Sequence, residues 1–343
     1  VIDFLRRLIP GILLCLAITA AAVVLQEVET KLAGAPYIEA LVLAILLGVA
    51  VRTAWKPGPL WQPGIQVSAK FVLECAIVIL GASVSFVTIM ALGPLLIFGI
   101  AAIVSITIGV SYLICRLLGL PLKLSLLVAC GNSICGNSAI AAVAPVIGAD
   151  GDDIAASISF TAVLGVIVVL TLPLLVPILD LSLTQYGVLA GLTVYAVPQV
   201  LAATLPIGAL SNQVGTVIKL VRVLMLGPVV LGISLLSGNL RPAHARANRR
   251  RPALTELVPW FIIGFLALLV LRSLEFIPQM LLPPMTRAAG LMTTIAMAGL
   301  GLGVDVRAVA RSGVRVTLAV TLSLIVLGLM SYGLIRLAGI GGP

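Results

Sequence analysis

Eleven stretches of predominantly apolar residues follow one another along the chain, each close to the roughly 20 residues that a helix needs to cross a bilayer. They lie near 9–28, 37–54, 70–89, 94–117, 122–148, 153–177, 185–206, 212–237, 258–275, 284–304 and 313–337. Pro, Gly and charged residues punctuate the short connections, as at Lys56-Pro57-Gly58-Pro59 and Leu282-Pro283-Pro284. Of the 343 residues, 61% are hydrophobic and 10% charged. Soluble domains run near 45–50% and about 25%, and they need a polar exterior that this chain cannot supply. The sequence predicts an all-α polytopic membrane protein of about eleven spans, a single membrane domain over 1–343. Soluble enzymes, nucleic-acid binding and disorder are excluded. The one His, His244, sits in a basic loop, and the five Cys are scattered through apolar stretches. Neither a metal site nor a disulfide framework is expected, and no cofactor.

Lysine and arginine set the orientation of such a chain. With a cytoplasmic N-terminus, the inner loops hold Arg6/Arg7, Arg52/Lys56, Arg116/Lys123, the basic loop 237–256 and Arg307/Arg311. The outer loops then hold Glu27/Glu29/Lys31 and Asp150/Asp152/Asp153. Asp180, in an inner loop, breaks the pattern. The first segment is read as an insertion helix.

Leu80-Gly81 recurs 220 positions on as Leu300-Gly301, and at the same shift Val84 meets Val304 and Gly93 meets Gly313. Tyr112 meets Tyr332, Arg116-Leu117 meets Arg336-Leu337, and Gly119 meets Gly339. A shift of seven helices is odd, so the copies face opposite ways, as in the inverted repeats of secondary transporters. The expected division is an extra helix over 1–35, a first repeat region over 36–178 and a second over 184–338. At this shift the partner of the fifth helix falls beyond residue 343.

That fifth helix holds the most informative motif, Cys130-Gly131-Asn132-Ser133-Ile134-Cys135-Gly136-Asn137-Ser138-Ala139-Ile140, with Gly-Asn-Ser twice. A continuous helix from Leu122 to Ile147 would be about 39 Å long, with the triplets at its middle. Polar triplets at bilayer depth are costly unless they line a cavity or the protein interior. The expectation is a discontinuous helix broken at the midplane, with Asn137 or Ser138 capping a half-helix 139–147 whose positive end suits an anion. Small-residue packing between helices is the plainer alternative. Cys130 and Cys135 read as packing residues.

Charged residues within spans are functional candidates. Lys219 and Arg222 share one helix face and either reach for the interface or neutralise an anion, for which the arginine fork is suited. Glu74 either pairs with Lys70 or couples an ion. Asp305 and Arg307 read as an interfacial turn, and Asp150, Asp152 and Asp153 as N-terminal caps. Tyr195-Ala196-Val197-Pro198-Gln199 places a kink and an amide in mid-span. The substrate-binding candidates are Gly131, Asn132, Ser133, Gly136, Asn137, Ser138, Gln199, Lys219 and Arg222; Glu74 is the ion-coupling candidate. No catalytic residue is assigned, and no ATP-binding Gly-x4-Gly-Lys-Ser/Thr stretch is present.

Together these residues resemble the YeiH-type sulfate exporter family of bacterial inner-membrane proteins. The helix-five motif with Pro145-Val146, Lys219-Leu-Val-Arg-Val-Leu-Met225 before Gly227-Pro228, and Leu300-Gly-Leu-Gly-Val-Asp305 carry the likeness. The resemblance implies a multi-pass permease of the inner membrane, and a fold akin to bile-acid-type symporters with two crossing broken helices. Where family members often have a His-Glu pair in helix seven, Tyr195-Ala196 stand here, so a proton relay does not carry over. The expected function is alternating-access transport of a small anion, sulfate or an organosulfonate. The alternative is a sodium- or proton-coupled organic-anion symporter. The expected partners are the anion, the lipid bilayer, H+ or Na+ as coupling ion, and a second copy of the chain in a homodimer.

Overall fold

The computed structural model describes residues 2–33, 39–83, 86–236, 260–304 and 314–340. The basic loop 237–256 with His244, and Asp305, Arg307 and Arg311, lie outside them. All regular structure among the described residues is helical. In chain order the helices are α1 (Ile2–Ala33), α2 (Ala40–Ala54), α3 (Gln62–Leu80), α4 (Phe86–Leu117), α5 (Leu122–Ser133), α6 (Asn137–Ile147) and α7 (Gly151–Thr171, prolonged to Leu179). They continue as α8 (Leu183–Thr193), α9 (Val197–Thr204), α10 (Ala209–Leu224), α11 (Leu226–Leu236), α12 (Trp260–Ser273), α13 (Leu282–Gly303) and α14 (Val314–Leu337). Among the described residues, six apolar helical stretches, in α1, α3, α4, α7, α10–α11 and α14, are long enough to cross a membrane.

The chain forms two compact units, one of residues 1–88 and 260–307, the other of 89–259 and 308–343. In the first, α13 packs on α2 through glycines. A Cβ at Gly301 would lie 2.3 Å from the Ile45 carbonyl oxygen, and one at Gly48 would lie 2.6 Å from that of Ala298. Backbones approach this closely only where side chains are absent, and such packing holds membrane helices together without a hydrophobic force between them. Helix α3 carries a π-helical turn over Ser68–Val72. Lys70 is exposed, and the Glu74 carboxylate instead accepts a 2.7 Å hydrogen bond from the Trp260 indole. The expected Lys70–Glu74 pair does not form.

The second unit is built on two helical hairpins. Helices α5 and α6 turn back on each other at Ile134–Gly136. A Cβ at Gly131 would sit 3.0 Å from the Ile140 side chain, and at the open end Lys123 Nζ lies 3.6 Å from Asp150 Oδ2. Helices α8 and α9 do the same around Val194–Ala196: the Tyr186 hydroxyl donates to the Ala203 carbonyl at 2.8 Å. The open end of this second hairpin is tied by Ser211 Oγ donating to the Leu183 carbonyl at 2.7 Å. The fifth apolar stretch is thus a hairpin and not a rod with two collinear halves. Its legs, of 12 and 11 residues, are about 16–18 Å long, which reaches half-way through a 30 Å hydrocarbon layer.

Three long helices run past both hairpins. Helix α7 starts beside the first hairpin's open end, passes its tip at Thr161, which donates to Asn137 Oδ1, and reaches the second tip at Gly165 against Gln199. Helix α10 leaves the second hairpin's open end at Ser211 and meets both tips at Lys219 and Arg222. Helix α14 packs Val316, Ala319 and Val320 with Leu120, Leu124 and Phe160 at the first open end, and its far end at Ile340 receives Gln185 of the second. The hairpins therefore point at each other, tip to tip, from opposite ends of the unit. Helix α4 runs antiparallel to α14, with Gly119 by Arg315 and Gly99 by Leu334.

Candidate functional site

Each tip is made by residues that leave the helix easily. In the first, Ile134 ends α5 and Gly136 takes φ +63°, a left-handed conformation that glycine adopts without the steric penalty of a Cβ. Gly136 is itself the residue preceding α6, and no side chain caps that helix. The cap expected from Asn137 or Ser138 does not form, because the helix already starts at Asn137. In the second tip Val194 and Ala196 are extended and Pro198 lies in the first turn of α9, where a missing N–H costs nothing. The break begins at Val194, four residues before the proline. At the mouth of the first hairpin Asp150 precedes α7 with extended backbone, yet makes no capping bond; its carboxylate faces Lys123.

Lys219 and Arg222 lie between the tips, both with 0% of their surface exposed. Neither reaches for the interface. Lys219 Nζ donates to the Ile134 carbonyl at 2.6 Å and to the Val194 carbonyl at 2.7 Å, one from each tip. Arg222 donates from Nη2 to Asn132 O at 2.6 Å, from Nε to Ser133 O at 2.7 Å and from Nη1 to Val194 O at 3.3 Å. The final carbonyls of a helix have no partner inside it and carry the negative end of its dipole. Here α5 and α8 aim those ends at each other in the protein interior, and the two cations satisfy them.

The remaining polar groups at the tips are differently placed. Asn132 and Ser133 are buried, and neither the Asn132 amide atoms nor Ser133 Oγ has a hydrogen-bond partner. Tyr195, 2% exposed, has an unpartnered hydroxyl, and Ser157 Oγ on α7 is unpartnered too. Unpaired buried groups are rare enough in proteins that each calls for a reason. Gly131 and Gly136 are buried, whereas Asn137 and Ser138, in the first turn of α6, are exposed. Buried Gln199 packs on Gly165 and accepts from Ala196 N at 3.2 Å, which orders the start of α9. All nine sequence candidates are thus at the tips or bonded to them, Gln199 from the first turn beyond the second. Glu74 belongs to the other unit. Sequence reading passed over Ser157 and Thr161; their i, i+4 spacing on one face of an apolar helix was the available signal. Cys130 and Cys135 are free thiols, and no group of metal ligands forms among the described residues.

Long apolar helices and paired hairpins define a multi-pass helical membrane protein. The chain belongs to the family described as conserved hypothetical protein 698, whose profile matches residues 10–320, and the YeiH-type likeness is to this same family. It is 59% identical over 336 residues to a UPF0324 membrane protein of Brucella melitensis, covering 98% of this chain and 92% of that one. The UPF0324 membrane protein of Bradyrhizobium diazoefficiens is 57% identical over 335 residues (98% and 94%). That of Bacillus cereus is 34% identical over 300 residues (87% of each). No solved structure matches the chain.

Proposed function

We propose that the protein is a secondary transporter, not an enzyme, that carries a small anion across the bacterial inner membrane by alternating access, with sulfate or an organosulfonate as substrate. The charge arrangement at the tips carries this reading. Lys219 and Arg222 neutralise the negative ends of α5 and α8, and among the described residues no carboxylate pairs with either cation. What is left beside them is the positive ends of α6 and α9, with Asn132, Ser133 and Tyr195 as unpaired donors. Such a centre suits an oxyanion.

Alternating access gains support from an inverted repeat. Gly119 and Gly339, 220 positions apart, both have positive φ, +79° and +61°. The next residues, Leu120 and Ile340, each accept a side-chain hydrogen bond from a hairpin's first turn, from Ser125 at 3.4 Å and Gln185 at 2.9 Å. Ser125 and Gln185 are 60 positions apart, and at that shift Gly131 meets Gly191 and Ile147-Gly148-Ala149 meets Ile207-Gly208-Ala209. Each hairpin thus follows a helix that ends alike, in sequence after α4 and in space after α14. The missing partner of the fifth stretch is the second hairpin, placed ahead of its repeat by circular permutation. With both hairpins re-entrant, nine of the eleven candidate spans cross, the N-terminus stays cytoplasmic, and Asp180 moves outside. The rule counts Lys and Arg, so acidic residues beside Lys123 do not offend it.

The test is purified protein in liposomes, given radiolabelled sulfate, sulfite or an alkylsulfonate under imposed proton and sodium gradients. Saturable uptake of one of them, absent from empty liposomes, supports the reading. No uptake of any, or ohmic single-channel currents, rejects it.

A further inference from the structure

Transporters of this general plan often hold a coupling cation on unwound carbonyls and helix C-termini at the bilayer midplane. In this chain the carbonyls from Cys130 to Ile134, where α5 ends at the first tip, are all taken. Cys130 O accepts from Ile134 N and Gly131 O from Gly136 N. Asn132 O and Ser133 O accept from Arg222, and Ile134 O from Lys219. Across the gap, Val194 O accepts from both cations, which fills its two lone pairs. Lys219 Nζ, 2.6 and 2.7 Å from one carbonyl of each tip, occupies the position from which an ion would bridge them.

We infer that the Lys219 ammonium is a resident, covalently tethered cation standing in the place of an alkali ion, and that the protein neither binds nor needs sodium at its hairpin tips. The charge of Arg222 also disfavours a second, mobile cation there. Among the described residues, the charged or titratable groups that act on Lys219 are Arg222 on its own helix and Cys135 on the first tip, while Tyr195 acts on Arg222. None supplies a negative countercharge by pairing with it. A mobile cation about 4 Å from one fixed positive charge, at an effective dielectric of 20, would bind on the order of a thousandfold more weakly than without it. The consequence for coupling rests on reading the tips as the transport site. The cation site itself does not.

The test measures thermal unfolding of the detergent-solubilised protein in sodium, potassium, ammonium or choline chloride at one ionic strength. The wild-type midpoint should be the same in all four, and a saturable sodium-specific rise overturns the inference. Lys219→Ala should unfold at lower temperature and regain part of the loss, saturably, with ammonium or sodium but not with bulky choline. A variant that responds to no small cation overturns it as well. Should Lys219→Ala not fold, Lys219→Arg, which keeps a tethered charge, is expected to fold and to show no response to sodium; a sodium response there counts against the inference. The wild-type arm stands in either case. Sulfate uptake in sodium against choline medium separates the two readings. No uptake in either medium removes the transport function and leaves the cation site standing. Uptake that requires sodium removes the tethered cation and leaves transport standing.

Discussion

Replacing Arg222 by Met keeps the length of the side chain and removes every donor. Arg222 serves three carbonyls, and one of them, Val194 O, retains Lys219. Among the described residues Asn132 O and Ser133 O have no other donor, so the variant leaves two buried acceptors unpaired. Each orphaned acceptor costs about 1–3 kcal/mol, so the variant should lose roughly 2–6 kcal/mol. Against a total stability of about 5–15 kcal/mol that is a large share. At about 2–4 °C per kcal/mol for larger chains, the midpoint should fall by on the order of 10 °C. Arg222→Lys, which can reach one of the two carbonyls, should lose about half as much. Thermal unfolding in detergent, followed by intrinsic fluorescence and checked by size exclusion, reads both. An arginine kept for substrate alone would behave differently, since replacing a functional residue tends to leave stability unchanged or raise it. An Arg222→Met midpoint within about 2 °C of wild type would falsify the idea that the arginine fastens the tips, by the same conversion.

Other consequences are more local. Ser138→Cys, at an exposed position, should react with a water-soluble maleimide and be protected by sulfate, whereas Asn132→Cys, at a fully buried one, should stay unlabelled; equal labelling of both contradicts the arrangement of the tip. Glu74→Gln keeps an acceptor for the Trp260 indole, so anion uptake should stay within about twofold of wild type, and a collapse of uptake would restore Glu74 as an ion-coupling group. Gly301→Val would drive a side chain into the Ile45 carbonyl, while Gly290→Val meets nothing within 4 Å. The first should reduce the yield of folded protein and the second should not, and a reversed order would exclude the close packing of α2 and α13.

Much of this architecture could be read from residue types, because lipid imposes a strict length and composition on whatever crosses it. The doubled Gly-Asn-Ser marked a backbone break, and the break is there, at Ile134–Gly136. Pro198 marked only a kink, where the helix in fact ends and turns back from Val194. What composition could not distinguish was a rod from a hairpin, since 26 apolar residues suit one long helix or two half-length legs equally well. The deciding contacts, Lys123 with Asp150 and Tyr186 with Ala203, join residues far apart in sequence. One of them ends on a backbone carbonyl, which every residue possesses.

The same blindness hid the work of Lys219 and Arg222. From the sequence they were two cations on one helix face without a nearby acid, and an anionic ligand was the natural complement. Their observed partners are carbonyls of Asn132, Ser133, Ile134 and Val194, contributed by backbone and so invisible in the pattern of side chains. Two hairpins that meet tip to tip inevitably bring two negative helix ends together in a medium without water. A fold of this kind must therefore either bind cations there or carry its own. Carrying them on α10, which passes both tips, satisfies the carbonyls with two side chains and ties the tips into one body. An anion placed against the opposite, positive ends of α6 and α9 would then complete a charge balance that the protein alone leaves on the cationic side.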